Sequence, residues 1–275
     1  MDLVFSEESL QYRSAGHPES PDRVKTAHSY LKDKYDIEEP IQASIDDLLL
    51  VHDEDFVQKV REGNFSDPDC PKYDDLFFYA TLSAGGAIKA QEINSLSIMR
   101  PPGHHAGKNF LGGFCYFNNL AIAVEKSNLK TLIVDFDAHH GNGTEDIFLG
   151  RDDITYLSLH RSPGFPGTGQ ESRKNAINHP VSATVGDEKY LGLLKEELAK
   201  LKAGGFEQLA LSAGFDGHKN DPLASVGLTT SAFREIGILL RDLDIPAFGV
   251  LEGGYVGEDL GRNIDAFLKG FNARS

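Results

Sequence analysis

Short, apolar, β-branched runs recur along the chain: LVF (3–5), SLSIM (95–99), TLIVDFD (131–137), ITYLSLH (154–160), QLALSAG (208–214) and IPAFGVLEGG (245–254). Runs this uniformly apolar belong to strands buried on both faces, which predicts a mainly parallel sheet. Between them the period changes. Residues 187–202 repeat Leu191, Leu194, Leu198 and Leu201 at helical spacing, with lysines and glutamates interleaved. Residues 230–243 and 258–271 look similar, and 21–34, 45–62 and 75–93 supply amino-terminal helices, the middle one broken near His52. This alternation predicts an open α/β sheet whose ligands gather beyond the carboxyl ends of its strands. No internal repeat, low-complexity tract or Pro/Ser linker divides the chain, so residues 1–275 are expected to form a single domain.

The loops after several strands carry reactive side chains. In LIVDFDAHHGNG (132–143) an apolar run switches to acids and histidines. Alternate strand residues point the same way, so continued extension would put Asp135, Asp137 and His139 on one face. Asp216 closes LALSAGFDG (209–217). Two carboxylates and an imidazole suit a divalent ion that keeps positions open for water and substrate. The plainer reading is a strand end whose acids cap the next helix, with Thr144, Glu145 and Asp146 as its capped start. Capping leaves the acids at 135 and 137 unexplained, because burying them unpaired is costly and a cation removes that cost. Asp216–Gly217 and Asp221–Pro222 by themselves read as turns. His104 and His105 sit between Pro101–Pro102 and glycines, a placement a surface histidine pair does not require. Tyr255 follows Gly253–Gly254; beside a metal its phenol could donate to an oxyanion.

Composition narrows the class. Hydrophobic residues make up 40% of the chain, no apolar run spans a bilayer, and MDLVFSEE lacks the pattern of a signal peptide. Cys70 and Cys115 are too few for a disulfide framework, so a reducing cytoplasm is expected. With 42 acidic against 27 basic residues the net charge is −15. That surface repels nucleic acid, excludes direct DNA or RNA binding, and attracts cationic ligands, although solubility alone also accounts for it.

RPPGHHAG (100–107), GGFCYFNNLAIA (112–123), DFDAHHGNGTEDIF (135–148), LSLHRSPGFPGTG (157–169), LSAGFDGHKNDPLA (211–224) and LEGGY (251–255) resemble, in that order, the zinc-dependent histone deacetylase family. The likeness is closest to its class II branch and to bacterial and archaeal deacetylase-like amidohydrolases, and HPESPDRV (17–24) matches the amino-terminal motif. The resemblance implies the arginase–deacetylase α/β fold: a mainly parallel sheet of about eight strands with helices on both faces. It implies one Zn2+ held by Asp137, His139 and Asp216, with His104, His105 and Tyr255 catalytic. Gly113, Phe114 and Phe165 correspond to tunnel walls, Asp69 to a rim aspartate, and Arg23 to an arginine at the tunnel foot. Asp135, Asp137, His139, Ser158 and Leu159 correspond to a structural K+ or Na+ site. A pairing of His104 with Asp135 would favour imidazolium; His105 on the neutral Asn142 would stay free to act as base.

The chain is short for this family. The segments 64–75 and 221–228 are brief, which predicts trimmed loops and an open, shallow entrance. Leu223 stands where polyamine-selective relatives can carry glutamate. An acyl-lysine peptide or protein is therefore the expected substrate, with acetylpolyamines or other small amides as the alternative. A non-catalytic acyl-lysine or metal-binding module is disfavoured by the intact ligand and catalytic set. A two-metal ureohydrolase is disfavoured because no second acid cluster is present.

Overall fold

The computed structural model describes residues 1–273. Eight parallel strands form one sheet: β1 (Leu3–Val4), β2 (Ile37–Glu38), β3 (Leu96–Ser97), β4 (Thr131–Asp135), β5 (Ile154–Arg161), β6 (Ala176–Val181), β7 (Gln208–Ala213) and β8 (Ala247–Leu251). Their spatial order is β2-β1-β3-β8-β7-β4-β5-β6. The helices are α1 (Pro21–Leu31), α2 (Ile45–Leu48), α3 (Glu54–Arg61), α4 (Leu76–Ile93), α5 (Asn119–Ser127), α6 (Asn142–Phe148), α7 (Gly186–Leu201), α8 (Thr230–Arg241) and α9 (Gly257–Phe271).

The apolar runs are explained by a core on each side of the sheet. Along β4, Leu132 and Val134 join one core, with Val24, Leu194, Phe233 and Phe267 from α1, α7, α8 and α9. Ile133 joins the other, with Val57, Ala84, Ile122 and Phe148 from α3, α4, α5 and α6. Neither face of β4 meets water, so apolar residues are favoured at every position, each burial contributing about 1.5–3 kcal/mol.

Several expected boundaries shift. β4 stops at Asp135, so Asp137 and His139 stand in the following turn, not on one extended face. The helix expected at a Thr144 cap begins at Asn142, with Gly141 at its N-cap position. The 45–62 pattern divides into α2 and α3, with His52 in the break. His52 there accepts the Asn118 N–H at Nε2 (3.0 Å) and lies 2.9 Å from Gly107 O through Nδ1. β2, β6 and α5 were not anticipated. The strands β3-β8-β7-β4-β5 are contiguous, so the five loops rich in glycine, histidine and acid open side by side at one sheet edge.

Candidate active site

Asp137 and His139 follow β4 and Asp216 follows its neighbour β7. One ligand atom from each residue lies within 4.8 Å of the others, the only such cluster of three among the described residues. Backbone groups fix the two carboxylates. Asp137 accepts the His139 N–H at Oδ1 (2.8 Å) and the Gly253 N–H at Oδ2 (2.7 Å), and Asp216 Oδ1 accepts the Ala138 N–H (2.9 Å). Gly253 is required for this approach, because a Cβ there would lie 2.5 Å from Asp216 Oδ2 and 2.6 Å from Asp137 Oδ2.

The two carboxylates of such a trio can be partly offset by a proton on His139 or fully balanced by a divalent cation. His139 Nδ1 lies 3.1 Å from Asp137 Oδ1 and 2.8 Å from Asp216 Oδ2. The shorter approach lacks hydrogen-bond alignment, and Asp216 Oδ2, fully buried, has no hydrogen-bond partner among the described residues. Burial and the Asp137 charge both raise the Asp216 carboxyl above its usual range. Converging lone pairs on two aspartates and an imidazole fit a divalent cation better than a single proton.

The histidine pair is held in the loop after β3. Glu252 Oε2 accepts the N–H groups of Gly103 (2.7 Å) and His104 (3.1 Å). The two rings are 4.0 Å apart but face different partners. His104 Nδ1 is 3.1 Å from Asp135 Oδ2, which also accepts from the Tyr156 hydroxyl at 3.0 Å. Burial opposes a charge on His104, but Asp135, Asp137 and Glu252 outweigh it and push the imidazole up to about 10. His105 Nδ1 donates to Asn142 Oδ1 at 2.8 Å, leaving Nε2 as an acceptor. Burial, with the His104 and His139 rings, pushes His105 well below its ordinary value. The two sets of partners thus pull the rings in opposite directions, His104 toward the charged form and His105 toward the neutral one.

His104, His105, His139 and Gly253 line a cavity of about 260 Å³ that also takes in Asp69, Gly113, Phe114, Phe165, Leu223 and Tyr255. Phe165 and Leu223 remain 46% and 40% exposed, so the mouth is open. Gly113, at φ +52°, lets the chain pass the His105 ring, where a Cβ would lie 2.3 Å from Cδ2. Arg23, buried outside the cavity lining, donates to Gly254 O and sits 5.0 Å from the Tyr255 ring centroid. Burial raises the Tyr255 phenol; Arg23 opposes this, Asp216 and Asp137 add to it, and the hydroxyl stays a donor.

The family model for the histone deacetylase domain matches residues 17–271. The chain belongs to the histone deacetylase family. As a deacetylase-family protein it is a hydrolase of amide bonds. It is 39% identical over 259 residues to a probable deacetylase of Methanothermobacter thermautotrophicus, covering 85% of this chain and 78% of that one. It is 34% identical over 205 residues to the acetylpolyamine amidohydrolase of Mycoplana ramosa, covering 70% and 60%. Among solved structures, the HDA15 HD domain superposes with a TM-score of 0.92 at 28% identity, covering 100% of this chain and 91% of that one. An acetylpolyamine aminohydrolase from Burkholderia pseudomallei shares the fold, with a TM-score of 0.89 at 24% identity, covering 99% of each chain. The family is zinc-dependent in general, and the Asp137–His139–Asp216 trio is the candidate metal site of this member.

Ser158 and Leu159, which the resemblance assigns to a monovalent cation, lie on β5 outside the cavity lining, with Ser158 beside Asp135 in register. His160 Nε2 faces the Gly169 carbonyl at 3.0 Å, so it donates there and its Nδ1 accepts the Ser158 hydroxyl hydrogen at 2.9 Å. Sequence reasoning missed Glu252, a buried acid inside an apolar strand end, although it carries the same signal that exposed Asp135. Burial pushes its carboxyl up to about 7.

Proposed function

We propose that this protein is a zinc-dependent deacylase of lysine side chains. The observation that carries the reading is the arrangement at the cavity: a three-donor site beside a histidine paired with Asn142, a histidine paired with Asp135, and Tyr255. Asp137, His139 and Asp216 would hold Zn2+, which when bound polarises the amide carbonyl and acidifies a water. His105 Nε2 accepts the proton of the attacking water and returns it to the leaving amine. His104, kept charged by Asp135, contributes positive charge where the oxyanion develops. The Tyr255 hydroxyl donates to that oxyanion. Phe114 and Phe165 flank the alkyl chain of the acyl-lysine, and Asp69 meets the substrate backbone at the rim. Asp135, Asp137, His139, Ser158 and Leu159 would hold a structural K+ or Na+; the Ser158 hydrogen is turned toward His160, which leaves the oxygen lone pairs available.

A second reading, hydrolysis of acetylated polyamines, is favoured by the relatives that carry that name and by Asp69 at the mouth. Leu223, an apolar rim residue, supports the peptide reading, because it offers a cationic amine no attraction. We place the enzyme in the cytoplasm on the strength of its two buried, unpaired thiols, Cys70 and Cys115. Turnover of an acetyl-lysine peptide against acetylputrescine, with metal analysis of the purified protein, tests the proposal. The peptide is expected to be the better substrate; a strong preference for acetylputrescine overturns the choice of lysine.

A further inference from the structure

Asp221 stands in an Asp-Pro turn that the sequence presents as ordinary chain reversal, yet its carboxylate joins two walls of the catalytic cavity. Oδ2 accepts the backbone N–H of Tyr255 at 2.8 Å. Oδ1 accepts the N–H of Leu223 at 2.9 Å and that of Ala224 at 3.4 Å. Leu223 and Tyr255 both line the cavity. Asp221 itself is only 8% exposed, so these are bonds shielded from competing water.

Tyr255 needs such a restraint. It follows Gly253 and Gly254, and Gly254 adopts φ +123°, a region that favours glycine. Two consecutive glycines let the backbone sit against the metal site but leave the next residue free to swing. Arg23 fixes the carbonyl of Gly254 (2.6 Å) and covers the tyrosine ring. Asp221 is the acceptor for the Tyr255 N–H itself.

We propose that Asp221 is a positioning residue that holds the Tyr255 hydroxyl at the reacting carbonyl and ties that position to the rim residue Leu223. The inference rests on the reading of Tyr255 as the oxyanion donor. A carboxylate is needed because both oxygens are used on opposite sides. In Asp221→Asn one side faces an amide nitrogen, which cannot accept an N–H. A misplaced catalytic hydroxyl lowers turnover more than substrate binding, by on the order of a hundredfold for about 1 Å.

The test is a double-mutant cycle on the metal-loaded enzyme with an acetyl-lysine peptide, measuring kcat, KM and metal content for Asp221→Asn, Tyr255→Phe and the pair. The expected result is a fall in kcat of about tenfold or more in Asp221→Asn, little change in KM, full metal content, and no further loss when Tyr255→Phe is already present. A full additive loss in the double variant, or an unchanged kcat in Asp221→Asn, overturns the positioning role. Normal turnover in Tyr255→Phe alone overturns the tyrosine's role, and this inference with it. If Asp221→Asn does not fold, hydrogen exchange of the Tyr255 amide in the wild-type enzyme decides. Slow exchange supports the bond, and exchange at the rate of an open loop amide removes it.

Discussion

His104 and His105 are adjacent and both buried, yet their partners bias them in opposite directions. Asp135 keeps the first charged, while Asn142 orients the second without stabilising its charge. Replacing Asn142 by Asp would put a carboxylate on His105 Nδ1 and raise its pKa. The acid limb of the kcat/KM profile, expected well below pH 6.5 in the wild type, should then move to higher pH; an unmoved limb removes His105 as the base. His105→Ala and Tyr255→Phe should each lower kcat by about 10²–10⁴ with metal still bound, as for loss of a proton acceptor or an oxyanion donor. Near-normal rates in either variant would reverse these assignments. At this scale much was readable, because an acid or histidine in an otherwise apolar strand end demands a partner. Glu252 escaped because it lies within a Gly-rich run that draws attention to Tyr255, and Asp221 because its dipeptide has so common a local explanation.

At the scale of elements, period separated helices from strands wherever a segment was long. α7, α8 and α9 were foreshadowed by leucine and phenylalanine spacing to within a few residues. β2 is two residues long and only half-buried, so it carries no alternation to read. α5 is only nine residues long, and its apolar residues form one continuous buried run, Leu120–Val124, packed between α4 and the sheet, so too few turns remain to show a helical period. Helix crossings depend on features no periodicity reveals. α8 and α9 meet through Gly237 and Gly270, where an added Cβ would lie 2.3 Å from Phe267 O and 2.0 Å from Arg234 O. Gly270→Ala should therefore destabilise the fold by about 1–3 kcal/mol, seen as a lower Tm, while metal affinity holds. An unchanged Tm would mean that the crossing is looser than the geometry implies.

For the whole molecule, acid sensitivity follows from buried histidines outside the cavity floor. Burial pushes His52 down to about 4, although its contacts with Gly107 and Lys108 act the other way, and burial with the His140 ring does the same for His160. The unfolded chain takes up these protons first, so this stability is complete above about pH 6.5, is lost as the pH falls from there to about 4, and levels off below. His52 alone accounts for about 3 kcal/mol at the acid end. Urea midpoints between pH 7 and pH 4 check this, and a flat series would contradict it. The order β3-β8-β7-β4-β5 was beyond sequence reading, since each strand fits many positions in a parallel sheet. What the chain determined by itself was local: which segments are strands, which turns carry acids and imidazoles, and which residue types could grip a cation. Only the tertiary structure decided that five loops from distant segments share one edge, that Asp137 and His139 stand in a turn and not on a strand, and that Glu252 accepts the His104 N–H and Asp221 the Tyr255 N–H. Those choices come from packing and long-range hydrogen bonds, whose partners lie about a hundred or more residues away for Glu252 and Gly253, and no local pattern encodes them.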